Sequence, residues 1–202
     1  MNCFKELQFR NIYDKNVTIK IKESVSSSEY GNYTWESSKL GAKLIFNDII
    51  DVKNKNVIEL GSGTGLFGIA AALNAAKNVL FTDIFDEKIN NNLKENFSSN
   101  ALANVEFAVF DWSHPKAEIY KRNFDLIIGA DCTFSEDVFR DFVSCVKLFQ
   151  RYNEYIEGFI IHECRGYEDV LVHFLNKYEL NYINVETQLN LNPSKQHIIK
   201  LF

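Results

Sequence analysis

Apolar and polar positions change their rhythm once along this chain, near residue 55. Before it, Val17, Ile19 and Ile21 alternate with Thr18, Lys20 and Lys22, which predicts a half-buried strand. The polar text "SSSEYGNY" over 26–33 reads as loop. "TWESSKLGAKLIFNDII" over 34–50 then reads as a helix, with Thr34 as its cap and Leu40, Leu44, Ile45 and Ile49 on its buried side. After it, short apolar runs alternate with amphipathic stretches. The runs at 56–60, 78–82, 105–110, 124–130, 158–163, 182–186 and 197–202 predict strands, and helices are expected near 65–76, 86–99, 135–150 and 166–178.

Several of these strands are apolar on both faces, as parallel strands covered by helices on both sides must be. The predicted fold class is therefore α/β: a Rossmann-like, doubly wound seven-stranded sheet with an N-terminal strand and helix extension. The last two strands follow one another without a helix between them, so one of them should run antiparallel. The expected organisation is one folded unit, with residues 1–54 as an extension packed on the core and 55–202 as the main domain. The helix "DEKINNNLKENF" is charged and reads as solvated.

In an open α/β sheet, ligands bind beyond the carboxyl ends of the strands. The first such strand ends in "ELGSGTG", which places Glu59, Gly61, Ser62 and Gly63 there. Glycine tolerates positive φ and lets backbone approach a ligand, and the N–H groups of the following helix point at whatever sits above. Two templates fit. Gly63, Gly65 and Gly68 match the dinucleotide pattern, whereas Glu59, Gly61, Gly63 and Gly65 match the turn of S-adenosylmethionine (SAM) enzymes. The strand stops at Leu60, so Gly61 holds the first place and the second register is favoured. Asp83 ends the next strand, where a carboxylate accepts ribose hydroxyls, or else caps the helix that follows. Asp111 and Trp112 end the third, suited to an adenine amine and an adenine face, although a Trp there can also be core packing.

Composition narrows the partners. The 202 residues are 46% hydrophobic, with 17 Phe and 9 Tyr, which sets the chain apart from disordered sequences. With 27 acidic against 22 basic residues the formal charge is −5, a balance that disfavours a nucleic-acid partner and suits a basic protein segment. Cys3, Cys132, Cys145 and Cys164 lack metal-ligand or redox spacing and read as reduced thiols. No run approaches the ~20 apolar residues of a membrane span, and the first residues lack a signal-peptide core. The expectation is a soluble monomer in the cytoplasm, and also the nucleus, with no membrane or metal.

"ELGSGTGLFGIAAAL", "TD" at 82–83, "DW" at 111–112 and "FDLIIGADCTF" occur in an order that resembles the seven-strand SAM-dependent methyltransferases. "YTWESSKLGAKLI", "FIIHECR" and the closing "HIIKLF" bring the likeness to the methyltransferase-like protein-lysine methyltransferases. The resemblance implies S-adenosyl-L-methionine as cofactor, S-adenosyl-L-homocysteine as product and a lysine-bearing protein segment as substrate. It implies that Trp35 closes over the methionine end and that Gly61, Ser62 and Gly63 form a backbone cradle. Asp83 then holds the ribose, Asp111 and Trp112 form the adenine site, and Ala130 gives the cofactor room. For Trp35, burial as a helix anchor is the competing reading.

That subgroup usually carries Asp-x-x-Tyr after the fourth strand, whereas this chain has Asp131-Cys132-Thr133-Phe134, keeping the acid and losing the hydroxyl. Asp131 and Phe134 are the catalytic candidates: the carboxylate to orient an incoming ammonium, the ring to wall its channel. Asp131 also reads as a cap or loop carboxylate, and Glu163 with Arg165 as a structural ion pair. The absence of Pro-Pro after the acid argues against adenine-N6 and glutamine acceptors. Methylation of arginine, histidine or a small molecule stays open, as do a nicotinamide oxidoreductase and a catalytically silent adaptor.

Overall fold

The computed structural model describes residues 4–23, 30–166, 168–190 and 193–202. Cys3 and the first part of the loop expected over 26–33 lie outside them. The chain opens with β1 (Phe4–Arg10) and β2 (Asn16–Lys22), a 3-10 turn at Tyr30–Asn32, and α1 (Glu36–Phe46). Then come β3 (Asn56–Leu60), α2 (Leu66–Leu73), β4 (Asn78–Asp83), α3 (Glu87–Ser99), β5 (Val105–Val109), α4 (Ala117–Tyr120) and β6 (Leu126–Ala130). The chain finishes with α5 (Glu136–Tyr152), β7 (Glu157–Glu163), α6 (Glu168–Lys177), β8 (Tyr182–Asn184) and β9 (Gln196–Leu201). β1 and β2 form an antiparallel hairpin, and the remaining strands form a seven-stranded sheet ordered β5-β4-β3-β6-β7-β9-β8. β5 through β7 pair in parallel, while β9 runs antiparallel to both its neighbours.

Alternation along the strands builds two cores. Val57, Phe81 and Ile128 point to one face and pack with Leu44 of α1, Phe67 of α2 and Leu93 of α3. Ile58, Ile127 and Ile160 point to the other and pack with Phe142 and Val146 of α5 and Leu171 of α6. Both faces are covered, which is why β3 and β6 place apolar side chains on each. The order reverses between β3 and β6, so the carboxyl ends of those two strands flank the crevice where open α/β sheets bind ligands.

Four details of the sequence reading change. Thr34 does not cap α1; Trp35 occupies the cap position in extended conformation, and the Thr34 hydroxyl instead meets that of Thr64 at 3.1 Å. Ile49 lies past the end of α1 and is exposed, because the helix stops at Phe46. Lys22, on the expected polar side of β2, is buried and pairs with Glu95 at 2.5 Å. Finally, α3 is not solvated all round. Its first turn is capped by Asp86, which accepts from Lys88 N and Ile89 N.

Asn92, Asn96 and Asn100 recur every four residues and therefore share one face of α3. Asn100 bonds both N and O of Lys20 (2.9 and 2.7 Å), and Asn96 Oδ1 accepts from Lys22 N at 2.7 Å. Asn96 Nδ2 donates to Thr64 O at 2.9 Å, and Asn92 Nδ2 to Asn32 Oδ1 at 2.6 Å. Amide side chains thus stand in for a neighbouring strand along β2 and tie the hairpin to the turn after β3.

Beneath that turn lies a buried acid. Glu59 is 2% exposed, and its Oε2 makes no hydrogen bond. Burial pushes its carboxyl up to about 8, assisted by the Asp83 charge and opposed by Gly68 N–H and Ser62. A raised carboxyl favours the fold while protonated, so its stabilisation is complete below the unfolded value of about 4.3 and is lost as pH climbs through 8. Melting temperature should fall between pH 5 and pH 8.5 more steeply for the wild type than for Glu59→Gln, which carries no proton to lose. A Cβ on Gly68 would lie 2.5 Å from the Phe81 ring and 2.6 Å from Glu59 Oε2. Gly68→Ala should therefore destabilise by about 1–3 kcal/mol in chemical denaturation, despite the better helix propensity of alanine.

Candidate active site

The turn between β3 and α2 takes positive φ at Gly61 (67°), Gly63 (52°) and Gly65 (79°). Only glycine adopts these angles at low cost. Ser62 is pinned inside: its N–H and hydroxyl both donate to Thr82 O (2.9 and 3.2 Å), and its Oγ accepts from Thr82 N at 3.0 Å. The ladder between β3 and β4 is thereby carried past Leu60, and the Ser62 side chain faces the sheet. Gly63 N donates to Asp83 Oδ2 at 2.8 Å, while Asp83 Oδ1 accepts from Ile84 N at 2.8 Å. Burial raises the Asp83 carboxyl above its ordinary range, and these two amides pull the other way. Since Asp86 caps α3, Asp83 is not spent on that task.

The N-terminal segment closes on the same turn. A Cβ on Gly63 would sit 2.9 Å from Gly31 O, so residues 31–35 run directly over the glycines. That course delivers Trp35, half-buried, with Tyr33 edge-on at 5.2 Å. On the other side a Cβ on Gly61 would lie 3.1 Å from the Trp112 ring and 3.3 Å from Cys132 Sγ. Trp112 leans edge-on against Phe142 at 5.1 Å, and its Nε1 is buried without a hydrogen-bond partner. Asp111 is exposed, and its Oδ1 accepts from Ser113 N (2.9 Å) and Ser113 Oγ (2.6 Å), which lowers its carboxyl below the ordinary range. Cys132 donates to Leu60 O at 2.8 Å, and burial drives its thiol well up, so it is no nucleophile.

Ala130 ends β6, half-buried and paired in register with Ile161. Asp131 follows in left-handed conformation (φ 59°), with its N–H on Ile161 O at 2.8 Å. Both its carboxylate oxygens accept from Arg165, at 2.6 Å each. The expected Glu163–Arg165 pair is present at 3.0 Å, but the shorter, two-pronged contact goes to Asp131. This geometry is the strong form of the arginine–carboxylate pair. The Arg165 guanidinium also lies 6.0 Å from the Trp35 ring centroid. Phe134, three residues after Asp131, is 52% exposed. Asp131 does not cap α5, whose first position is preceded by Ser135.

Trp35, Gly61, Gly63, Asp83, Trp112, Ala130 and Asp131 thus lie around the carboxyl ends of β3, β4 and β6. Glu59 and Ser62 lie beneath, and Asp111 faces outward on the rim. Sequence reasoning missed Thr34–Thr64, Asn96 and the Arg165–Asp131 clamp, since each joins side chains 30 or more positions apart. The Arg165 signal was present in "HECR", read only against its neighbour.

A family model described as lysine methyltransferase matches residues 13–180. A protein N-lysine methyltransferase METTL21A from Xenopus tropicalis is 30% identical over 127 residues, covering 62% of this chain and 58% of its own. A calmodulin-lysine N-methyltransferase from Arabidopsis thaliana is 28% identical over 160 residues, covering 75% and 52%. The chain spans about half the length of these curated relatives. The solved ribosomal protein L11 methylase from Lactobacillus delbrueckii subsp. bulgaricus shares the fold with a TM-score of 0.64 at 19% identity, over 84% of this chain and 79% of that one. Matched over most of its length, the chain belongs to the lysine methyltransferase family.

Proposed function

We propose that this protein transfers a methyl group from S-adenosylmethionine to a lysine side chain of a protein. The observation that carries the reading is the Asp83 carboxylate at the end of β4, held by Gly63 N–H and lying across the turn from the Trp112 ring. Each Asp83 oxygen accepts one amide and keeps a lone pair for a ribose hydroxyl. Gly61 leaves room beside an indole able to cover an adenine face. These residues fit an adenosyl group.

When bound, S-adenosylmethionine supplies a methyl group on a sulfonium, already a good leaving group. The protein's work is alignment and exclusion of water. Gly61 and Gly63 bring backbone close, with Ser62 fixing the turn from beneath. Trp35 covers the far end of the site, and Ala130 leaves space at the head of β6. A lysine of pKa about 10.4 must lose its proton to solvent before it reacts, and apolar walls favour the neutral form. Phe134 and Trp35 supply such walls, and their ring faces attract an ammonium before it loses its proton. Asp131, gripped by Arg165, orients the acceptor from a fixed position. Asp111, engaged with Ser113 on the rim, lies next to the adenine wall.

Asp83→Ala should weaken S-adenosylhomocysteine binding about a hundredfold in titration calorimetry, the worth of two charge-assisted hydrogen bonds. Unchanged affinity in a folded variant would remove the basis of the reading. Tritiated methyl transfer into a hypomethylated cell extract, followed by acid hydrolysis, should yield labelled methyl-lysine. Label in methylarginine or methylhistidine would move the acceptor.

A further inference from the structure

The loop that carries Asp131 and Phe134 is fastened from behind. Thr133 Oγ1 and His162 Nδ1 are 2.6 Å apart, and both side chains are buried. His162 Nε2 has no hydrogen-bond partner and lies 3.6 Å from Glu168 Oε1. That same Oε1 accepts Arg165 N–H at 2.8 Å and Gly166 N–H at 3.2 Å. Arg165 grips Asp131, and main chain leads from Asp131 back to Thr133. A ring therefore closes through Thr133, His162, Glu168, Arg165 and Asp131. It joins the loop after β6 to the loop after β7.

The ring dictates a tautomer. A carboxylate beside Nε2 favours a hydrogen there, which leaves Nδ1 to accept from the Thr133 hydroxyl. The groups facing this imidazole are Asp131 from the β6 end, Arg165 from the next loop, Glu168 from α6, and His197, opposite in register on β9. Phe139 of α5 covers it edge-on at 6.2 Å. Burial lowers its pKa, outweighing the raising pull of Glu168 and Asp131.

Resting on the reading of function above, we propose that His162 is a positioning residue for the methyl acceptor: it locks the Asp131–Phe134 loop through Thr133 and couples it through Glu168 to the Arg165 clamp. Protonation puts a hydrogen on Nδ1 and turns the Thr133 hydroxyl from donor to acceptor, so the lock reverses its bond rather than releasing it.

Nitrogen-15 imidazole spectra of the full chain test the ring without any turnover. The neutral Nε2–H form is expected. Thr133→Val should shift the His162 titration midpoint, since the ring loses its partner at Nδ1, and Glu168→Gln should lower it, since the cation loses its counter-charge. With tritiated S-adenosylmethionine and hypomethylated extract, Thr133→Val should slow transfer about ten- to a hundredfold. Its S-adenosylhomocysteine affinity should stay within about twofold, and Thr133→Ser should restore the rate. An Nδ1–H tautomer, a titration indifferent to both substitutions, or wild-type transfer by Thr133→Val overturns the proposal. So does a parallel loss of S-adenosylhomocysteine affinity, which marks a merely structural role. If Thr133→Val fails to fold, Glu168→Gln decides by the direction of the midpoint. A wild type that binds S-adenosylhomocysteine yet labels no protein overturns the function reading, while the spectra still separately decide the ring.

Discussion

The bond from Gly63 N–H to the Asp83 carboxylate, 2.8 Å long, organises this molecule. It joins the middle left-handed residue of the turn after β3 to the carboxylate at the end of β4, beside the crevice where the strand order reverses. Other elements converge there. The Gly31 carbonyl abuts Gly63, the Thr34 and Thr64 hydroxyls meet, and Asn96 reaches Thr64 O. The N-terminal hairpin and α1 are thus fastened to the turn itself, and through it Trp35 stands over the site.

The acids around this crevice are kept in three different electrostatic states. Glu59 is buried with one oxygen unpaired, and desolvation keeps it protonated near neutral pH. Asp83 is balanced between burial and two amide donors. Asp131 has its charge met by Arg165 in a two-pronged pair. An unpaired buried carboxylate would cost several kcal/mol, so each solution is a condition of placing acid in a low-dielectric crevice. The outcome separates roles. A carboxylate bound only by amides can still accept hydroxyls, whereas one clamped by arginine works as a rigid, nearly neutral unit.

This division bears on the loop after β6. Asp131 carries its ion pair at the end of β6, and Arg165 extends it toward Trp35 and Glu163. Asp131, Glu163 and Arg165 thus form a prearranged cluster of two acids and one guanidinium.

The sequence alone was enough for most of the elements and for their class, but not for β1 or the short α4. A run such as Leu126–Ala130 is apolar on both faces because helices cover both, and that period is local information. The turn was legible too: a strand end, glycines in alternate positions and an acid at the next strand end follow from backbone geometry within a short span. The folded chain alone decided which partner each polar side chain took. Asn96 sits in a helix that reads as solvated, Arg165 beside a glutamate it does not chiefly serve, and His162 inside an apolar strand. Their partners lie dozens of positions away, brought close only when the sheet assembles. Periodicity encodes which face a residue occupies; it does not encode what waits on the other side.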